Sequence, residues 1–175
     1  MLGMIESNLE NYSQAQKHLK IAIKVNPQNY ENYLLLGIAY FYLKDYTASK
    51  KLFLKTIELS KKDYRAFFNL GQLQATIGQA DQAVINYTKA IRLNDSIPSL
   101  YMSRAATYEE KKALQLAIDD YTAPIQLNPK YATAYLLRGY IYLDLGKKTK
   151  ACQDLNKAQK FGEQIPKNFQ SVCKD

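Results

Sequence analysis

The feature that most constrains this chain is an internal repeat of 34 residues that runs without insertions. Small residues recur at this interval, at Gly3, Gly37, Gly71, Ala105 and Gly139. Bulky residues keep the same interval, at Leu19, Phe53, Tyr87, Tyr121 and Leu155. Periods of roughly 20 to 50 residues are typical of stacked supersecondary units that share one continuous core.

Each unit contains two helical stripes of apolar residues. In the second unit the first stripe comprises Tyr33, Leu36, Gly37, Tyr40 and Leu43, at spacings typical of one helix face. Lys44 and Asp45 interrupt it, and a second stripe begins at Ala48. The pattern predicts a helical hairpin with a short polar turn. Turn signals recur at Gly78-Gln79, Gly146-Lys147, Asn26-Pro27 and Asn128-Pro129, and Pro98 fits the first turn of a helix.

The order of residue types within a unit is distinctive. An aromatic residue, a Leu-Gly pair, a tyrosine, a small residue and a second aromatic residue follow one another at Tyr33, Leu36, Gly37, Tyr40, Ser49 and Phe53. This order resembles the tetratricopeptide repeat, and the resemblance covers residues 1 to about 162. It implies an all-α, right-handed α-solenoid of helix-turn-helix hairpins, whose first helices line a concave groove.

The repeat register predicts a single domain over residues 1–175. It contains a truncated repeat at 1–29, full repeats at 30–63, 64–97, 98–131 and 132–163, and a capping helix at 164–175. Phe169 and Val172 are expected to cover the last repeat. Most of the opening helix of the first repeat is missing, which suggests an array trimmed from a longer chain. Self-association through this truncated repeat is a further expectation.

One substitution within the repeat has a structural consequence. Pro124 stands where neighbouring units carry Ala90 and Ala158, and a proline inside a helix removes one hydrogen bond. We therefore expect a kink between Asp120 and Pro124.

Charged residues also appear in matched pairs. Arg104 and Arg138 are each followed by an aspartate 16 residues later, at Asp120 and Asp154. Because an unpaired buried charge is costly, these pairs predict ion pairs that close the hairpins. Charges that face a ligand are the alternative.

Few residues in this chain are suited to catalysis. His18 is the only histidine, so we expect neither a multi-histidine zinc site nor a histidine-based catalytic triad. No glycine-rich phosphate-binding loop is present. We expect a protein that is not an enzyme, with no cofactor, metal or small-molecule substrate. Cys152 and Cys173 are not spaced like metal ligands; an antiparallel tail could bring them together in a disulfide, and free thiols remain the alternative.

The net charge of +8 raises the possibility of nucleic-acid binding. Most lysines, however, fall on second helices or turns rather than on first helices. We therefore expect a protein or peptide ligand rather than a nucleic acid. The alternative is a basic solenoid that binds RNA or an acidic surface through its convex face.

The resemblance places the ligand site on the first helices. The expected groove residues are Leu34, Ile38, Phe41, Arg65, Phe68, Asn69, Gln72, Met102, Ala106 and Glu109. Leu34, Ile38 and Phe41 form a second apolar stripe, which stacking against the next repeat would partly bury. The prediction is a non-catalytic scaffold or adaptor that binds a peptide with apolar anchors, with Arg65 pairing an acidic ligand residue.

The N-terminus has neither the basic start nor the apolar stretch of a signal peptide. The longest apolar run, residues 33–43, is shorter than the roughly 20 residues of a bilayer span. We therefore expect a soluble protein, with the cytoplasm favoured.

Overall fold

The computed structural model describes residues 2–167, 169 and 173, and for residues 2–9 it describes the backbone alone. Every element over which these residues form regular structure is an α-helix. The helices are α1 (Leu2–Val25), α2 (Tyr30–Tyr42), α3 (Tyr46–Leu59), α4 (Tyr64–Thr76), α5 (Ala80–Leu93), α6 (Pro98–Glu110), α7 (Leu114–Leu127), α8 (Ala132–Asp144) and α9 (Lys148–Lys160). The expectation of an all-α fold is confirmed, and Pro98 is the first residue of α6.

The chain forms two compact units, residues 1–94 and 95–175. In the first unit, α1 contacts α2, and two hairpins follow, α2 with α3 and α4 with α5. In the second unit, α6 pairs with α7 and α8 pairs with α9. Each hairpin coincides with one predicted full repeat. The assignment of the whole chain to a single domain stays a prediction.

The turn within each of the four hairpins has the same backbone form. Lys44, Gly78, Lys112 and Gly146 adopt positive φ angles of 62°, 76°, 59° and 67°. The next residue then donates its N–H to a carbonyl five residues back, as Asp45 does to Tyr40 at 2.9 Å. This arrangement satisfies carbonyls at the end of the helix, and glycine adopts it without steric cost.

Close packing within a hairpin explains the recurring small residues. A Cβ placed on Gly37 would lie 2.6 Å from the ring of Phe53, which is fully buried. The Ser49 hydroxyl donates a 2.8 Å hydrogen bond to the Gly37 carbonyl. Gly71 is similarly close to Tyr87 in the next hairpin. The small residues therefore allow the two helices of a hairpin to approach closely.

The first repeat differs from the other four in its backbone. α1 continues as one helix of 24 residues through Glu10, the position equivalent to Lys44, Gly78, Lys112 and Gly146. A turn at this place is stabilised in the other repeats by packing of two full helices against each other.

Pro124 is fully buried inside α7 and does not terminate the helix. α7 has 14 residues, as do α3 and α5, and its last turn closes with a 2.8 Å bond from the Asn128 N–H to the Pro124 carbonyl. The kink at this proline stays a prediction.

The segment after α9 packs against the last hairpin. Cys173 forms a disulfide with Cys152 of α9, and the Phe169 ring lies 4.7 Å from the Tyr140 ring on α8. Ile165 is buried in the same apolar cluster. Val172, the other expected covering residue, lies outside the described residues. Of the two alternatives for the cysteines, the structure has the disulfide.

Candidate peptide-binding face

One of the ten expected groove residues belongs to the core. Leu34 is only 3% exposed and packs with Phe53, Ala66, Leu70 and Leu73. Its placement in a ligand groove was wrong, because α4 packs against α2 and covers this part of the helix. A side chain buried to this extent contacts no ligand.

The two other apolar residues predicted on α2 are only partly covered. Ile38 and Phe41 are half-buried and rest on the same core cluster. The Phe41 ring lies 5.5 Å from the Tyr42 ring and 5.8 Å from the Tyr46 ring. These two residues therefore have a structural role, and part of each surface stays accessible.

On α4, the predicted residues combine an aromatic ring with two amides. Phe68 is half-buried, with its ring 5.9 Å from that of Tyr87. The Asn69 side-chain amide donates a 2.7 Å bond to the Arg65 carbonyl one turn earlier. Gln72 is half-buried one turn further along the helix. The name "α2–α4 face" is used below for Ile38, Phe41, Phe68, Asn69 and Gln72.

Arg65 is held by acidic residues of the protein itself. Its guanidinium lies 2.7 Å from Asp63 and 3.3 Å from Glu31, which is exposed on α2. Asp63 also caps α4 by accepting the Arg65 backbone N–H at 2.9 Å. The hydrogen bonds that the Arg65 guanidinium donates to Asp63 raise the pKa of Arg65 above its usual range, against the opposing effect of burial. An acidic ligand would therefore have to compete with Asp63.

The three predicted residues of the second unit have different environments. Met102 packs against the cluster around Tyr121, Ala106 is exposed, and Glu109 accepts a hydrogen bond from the Tyr121 hydroxyl. Burial raises the pKa of Tyr121, and the hydrogen bond to Glu109 raises it further. The Glu109 carboxylate is thus hydrogen-bonded to a buried residue of its own hairpin.

The predicted Arg–Asp pairs are confirmed as contacts between the two helices of a hairpin. Arg104 donates two 2.7 Å bonds to Asp120, and Arg138 donates bonds of 2.7 and 2.9 Å to Asp154. Both aspartates are buried. Each carboxylate accepts two hydrogen bonds from one guanidinium at a place where water is excluded. These ion pairs therefore hold the two helices of a hairpin together.

A cavity of about 580 Å³ lies beside α3, in the first unit, and the repeat pattern did not predict it. It is lined by Tyr46, Thr47, Lys50, Lys51, Leu54 and Ile77. The signal available in the sequence was that Lys50, Lys51 and Leu54 differ from their counterparts at the same register in the other full repeats. In the described part of the chain, no group of three His, Cys, Asp or Glu residues could hold a metal ion. No helix there is long and apolar enough to cross a bilayer.

Two models of the tetratricopeptide repeat match the sequence, one over residues 1–64 and the other over residues 64–96 and 132–161. The chain belongs to the tetratricopeptide repeat family. Proteins of this family are generally scaffolds for protein interactions. Anaphase-promoting complex subunit 3 of Schizosaccharomyces pombe is 30% identical over 62% of this chain, and tetratricopeptide repeat protein 37 of Xenopus laevis is 27% identical over 89%. The matches span only 16% and 10% of those relatives.

Solved structures show the same fold. The crystal structure of MamA superposes with a TM-score of 0.80 at 24% identity, covering 87% of this chain and 89% of MamA. YrrB, described as a TPR protein with an unusual peptide-binding site, has a TM-score of 0.72 at 20% identity, covering 89% of this chain and 80% of YrrB. PilF of Pseudomonas aeruginosa reaches 0.81 at 13% identity, covering 97% and 85%. At these identities the likeness shows the tetratricopeptide solenoid fold alone.

Proposed function

We propose that this protein is a non-catalytic scaffold that binds a peptide segment of a partner protein on its α2–α4 face. The observation that supports this most is the combination of partly accessible apolar side chains, Ile38, Phe41 and Phe68, with two amide side chains on a pair of contacting helices. Apolar pockets with a few polar groups are typical of peptide-binding surfaces. Members of this repeat family generally bind proteins, which supports the same class of partner.

The chemistry of this face favours an extended segment with apolar anchors. The Gln72 amide can donate or accept hydrogen bonds with a peptide backbone, and the Asn69 side-chain oxygen can accept one. Arg65 is already paired with Asp63 and Glu31, so it adds little attraction for a ligand carboxylate. We infer that a clamp for a C-terminal carboxylate is absent from the described residues of this face. Met102, Ala106 and Glu109 remain proposed ligand residues of the second unit.

Affinity capture from the source lysate with a matched pair of variants tests this function. Phe68→Ser removes an aromatic group of the proposed face, whereas Ile85→Ser alters an aliphatic side chain of α5 that is 47% exposed. We expect Phe68→Ser to deplete specific captured proteins and Ile85→Ser to retain them, with equal helicity by circular dichroism. Equal capture by both variants would contradict the proposed face.

RNA binding through the lysines of the second helices is the alternative that must be distinguished from peptide binding. Part of the lysine charge lies over aromatic rings of the protein, with Lys157 5.1 Å from the Tyr135 ring and Lys89 5.7 Å from the Phe67 ring. RNA affinity would fall steeply with salt and would survive Phe68→Ser. That result would favour the alternative over peptide binding.

A further inference from the structure

The cavity beside α3 has apolar walls that are open to solvent. Leu54 and Ile77 line it from α3 and from the end of α4, and their exposed fractions are 48% and 37%. Tyr46, at the start of α3, contributes an aromatic wall. Large apolar side chains clustered at a surface concavity are typical of sites that receive an apolar group of a partner.

Packing of the repeat does not require Lys50, Lys51 or Leu54. At the register of Leu54 the other full hairpins carry Thr88, Thr122 and Asn156, and at the register of Lys51 they carry Ile85, Asp119 and Gln153. At the register of Lys50 they carry Val84, Ile118 and Cys152. Because the fold is the same in all four hairpins, Lys50, Lys51 and Leu54 are particular to α3, whereas Ile77 has apolar counterparts at Leu43 and Leu145.

The two lysines at the cavity hold positive charge that nearby acids do not neutralise. Among the residues whose side chains the structure describes, no carboxylate lies within ion-pair distance of Lys50 or Lys51. Lys55, one turn further along α3, is instead paired with Glu58 at 2.7 Å. The rim of the cavity is therefore basic, and its walls are apolar.

We propose that this cavity, named the α3 pocket, binds an acidic peptide segment that carries one large apolar side chain. The apolar side chain lies between Leu54 and Ile77, and acidic side chains on either side of it face Lys50 and Lys51. The charge complementarity identifies the acidic part of the ligand, and the walls identify its anchor. This site is on a second helix and is independent of the α2–α4 face.

Fluorescence anisotropy with labelled synthetic peptides tests the proposal. The probes are short peptides with one central Leu, Ile or Phe flanked by Asp and Glu, together with two control series. One control series replaces the central residue with Ser, and the other replaces every acid with its amide. We expect binding of the first series alone, with affinity falling as NaCl rises from about 50 to about 300 mM, because salt screens exposed charge pairs.

Variants locate the binding. Leu54→Ser and the double variant Lys50→Glu/Lys51→Glu should each weaken the probe by about tenfold or more. The matched controls Ile85→Ser and Lys17→Glu/Lys24→Glu, which alter exposed residues elsewhere in the first unit, should leave affinity unchanged. Phe68→Ser should also bind the probe normally. The outcome of this test therefore does not depend on whether a peptide binds to the α2–α4 face.

Three results would overturn the proposal. The first is the absence of binding by every acidic probe at about 1 mM, a concentration at which even weak specific sites are occupied. The second is equal weakening by the pocket variants and by their matched controls. The third is displacement of the probe by single-stranded RNA, together with a loss of probe affinity in Lys50→Glu/Lys51→Glu and none in Leu54→Ser. This result would indicate a basic patch that binds nucleic acid.

Discussion

At the scale of single residues, the stability of the hairpins depends on how buried polar groups are paired. Arg138 donates to Asp154 and also donates a 2.8 Å bond to the Thr122 hydroxyl. The same register holds Leu36 and Leu52 in the second repeat, where both are apolar. In the third repeat the same positions hold Leu70 and Asn86, and the buried Asn86 amide donates a 2.7 Å hydrogen bond to Gln74. The fold therefore accepts an ion pair, an apolar pair or a hydrogen-bonded amide at this place.

A double-mutant cycle on Arg138 and Asp154 tests this interpretation. Asp154→Leu or Arg138→Leu alone should lower the free energy of unfolding by about 3 to 5 kcal/mol, because each leaves a buried charge without its partner. The double variant should lose much less than the sum, since it recreates the apolar pair. Urea unfolding measures the four free energies. Additive losses would contradict a coupled pair.

Tyr121 gives a prediction on pH. Its hydroxyl is buried and bonded to Glu109, and burial followed by that bond raises its pKa above that of the unfolded chain, which is about 10. The folded state therefore retains a proton that the unfolded state loses at high pH. The contribution to stability is complete below about pH 10 and declines as the pH rises towards the folded pKa.

Tyr121→Phe removes both the proton and the bond. The variant should be less stable than the natural protein by about 2 kcal/mol near neutral pH, the magnitude for a hydrogen bond to a charged group. This difference should shrink between about pH 10 and about pH 11. Urea unfolding at several pH values checks it. A difference that stays constant over this range would mean that Tyr121 has an ordinary pKa in the folded protein.

At the scale of elements, the sequence predicted the four full hairpins because apolar stripes and turn residues gave the same boundaries. The continuity of α1 was not predictable from local residues, since Lys44 and Lys112 show that the turn forms at lysine as well as at glycine. The residue type at this register therefore does not by itself determine whether the chain turns. The segment after α9 continues the repeat register, since Phe169 and Cys173 follow Tyr135 and Gly139 by one full repeat length.

The disulfide should determine whether the tail stays on the last hairpin. Cys152 and Cys173 are separated by 21 residues, and closing a loop of that size in the unfolded chain stabilises the folded state by roughly 3 kcal/mol. Cys173→Ser should increase hydrogen exchange at the Phe169 amide, which bonds to the Pro166 carbonyl, and leave the α2–α3 hairpin unchanged. Unchanged exchange at Phe169 would mean that apolar contacts alone hold the tail.

The same bridge bears on the compartment. Disulfides persist in oxidising environments, whereas a cytoplasmic location, expected from the N-terminal sequence, predicts free thiols. Thiol alkylation and mass spectrometry of the protein purified from its source without reductant distinguish the two states.

At the scale of the whole molecule, the family and its class of partner could be predicted more securely than the ligand residues. Periodicity identifies which residues share a helix face, and the placement of Phe68, Asn69 and Gln72 in a ligand site stays a prediction. It does not show how closely the next hairpin approaches that face, and this distance buried Leu34. Lys50, Lys51 and Leu54 of the α3 pocket differ from their counterparts in the other full hairpins, so the pattern that the repeats share does not indicate the pocket.

The most direct test of peptide binding on the α2–α4 face is a two-dimensional ¹H–¹⁵N NMR titration of this 20.1 kDa protein with a segment of the captured partner. The account predicts chemical-shift changes concentrated in α2 and α4, at Ile38, Phe41, Phe68, Asn69 and Gln72, and their loss in Phe68→Ser. Changes confined to α3, or to the lysines of α1 and α9, would contradict it.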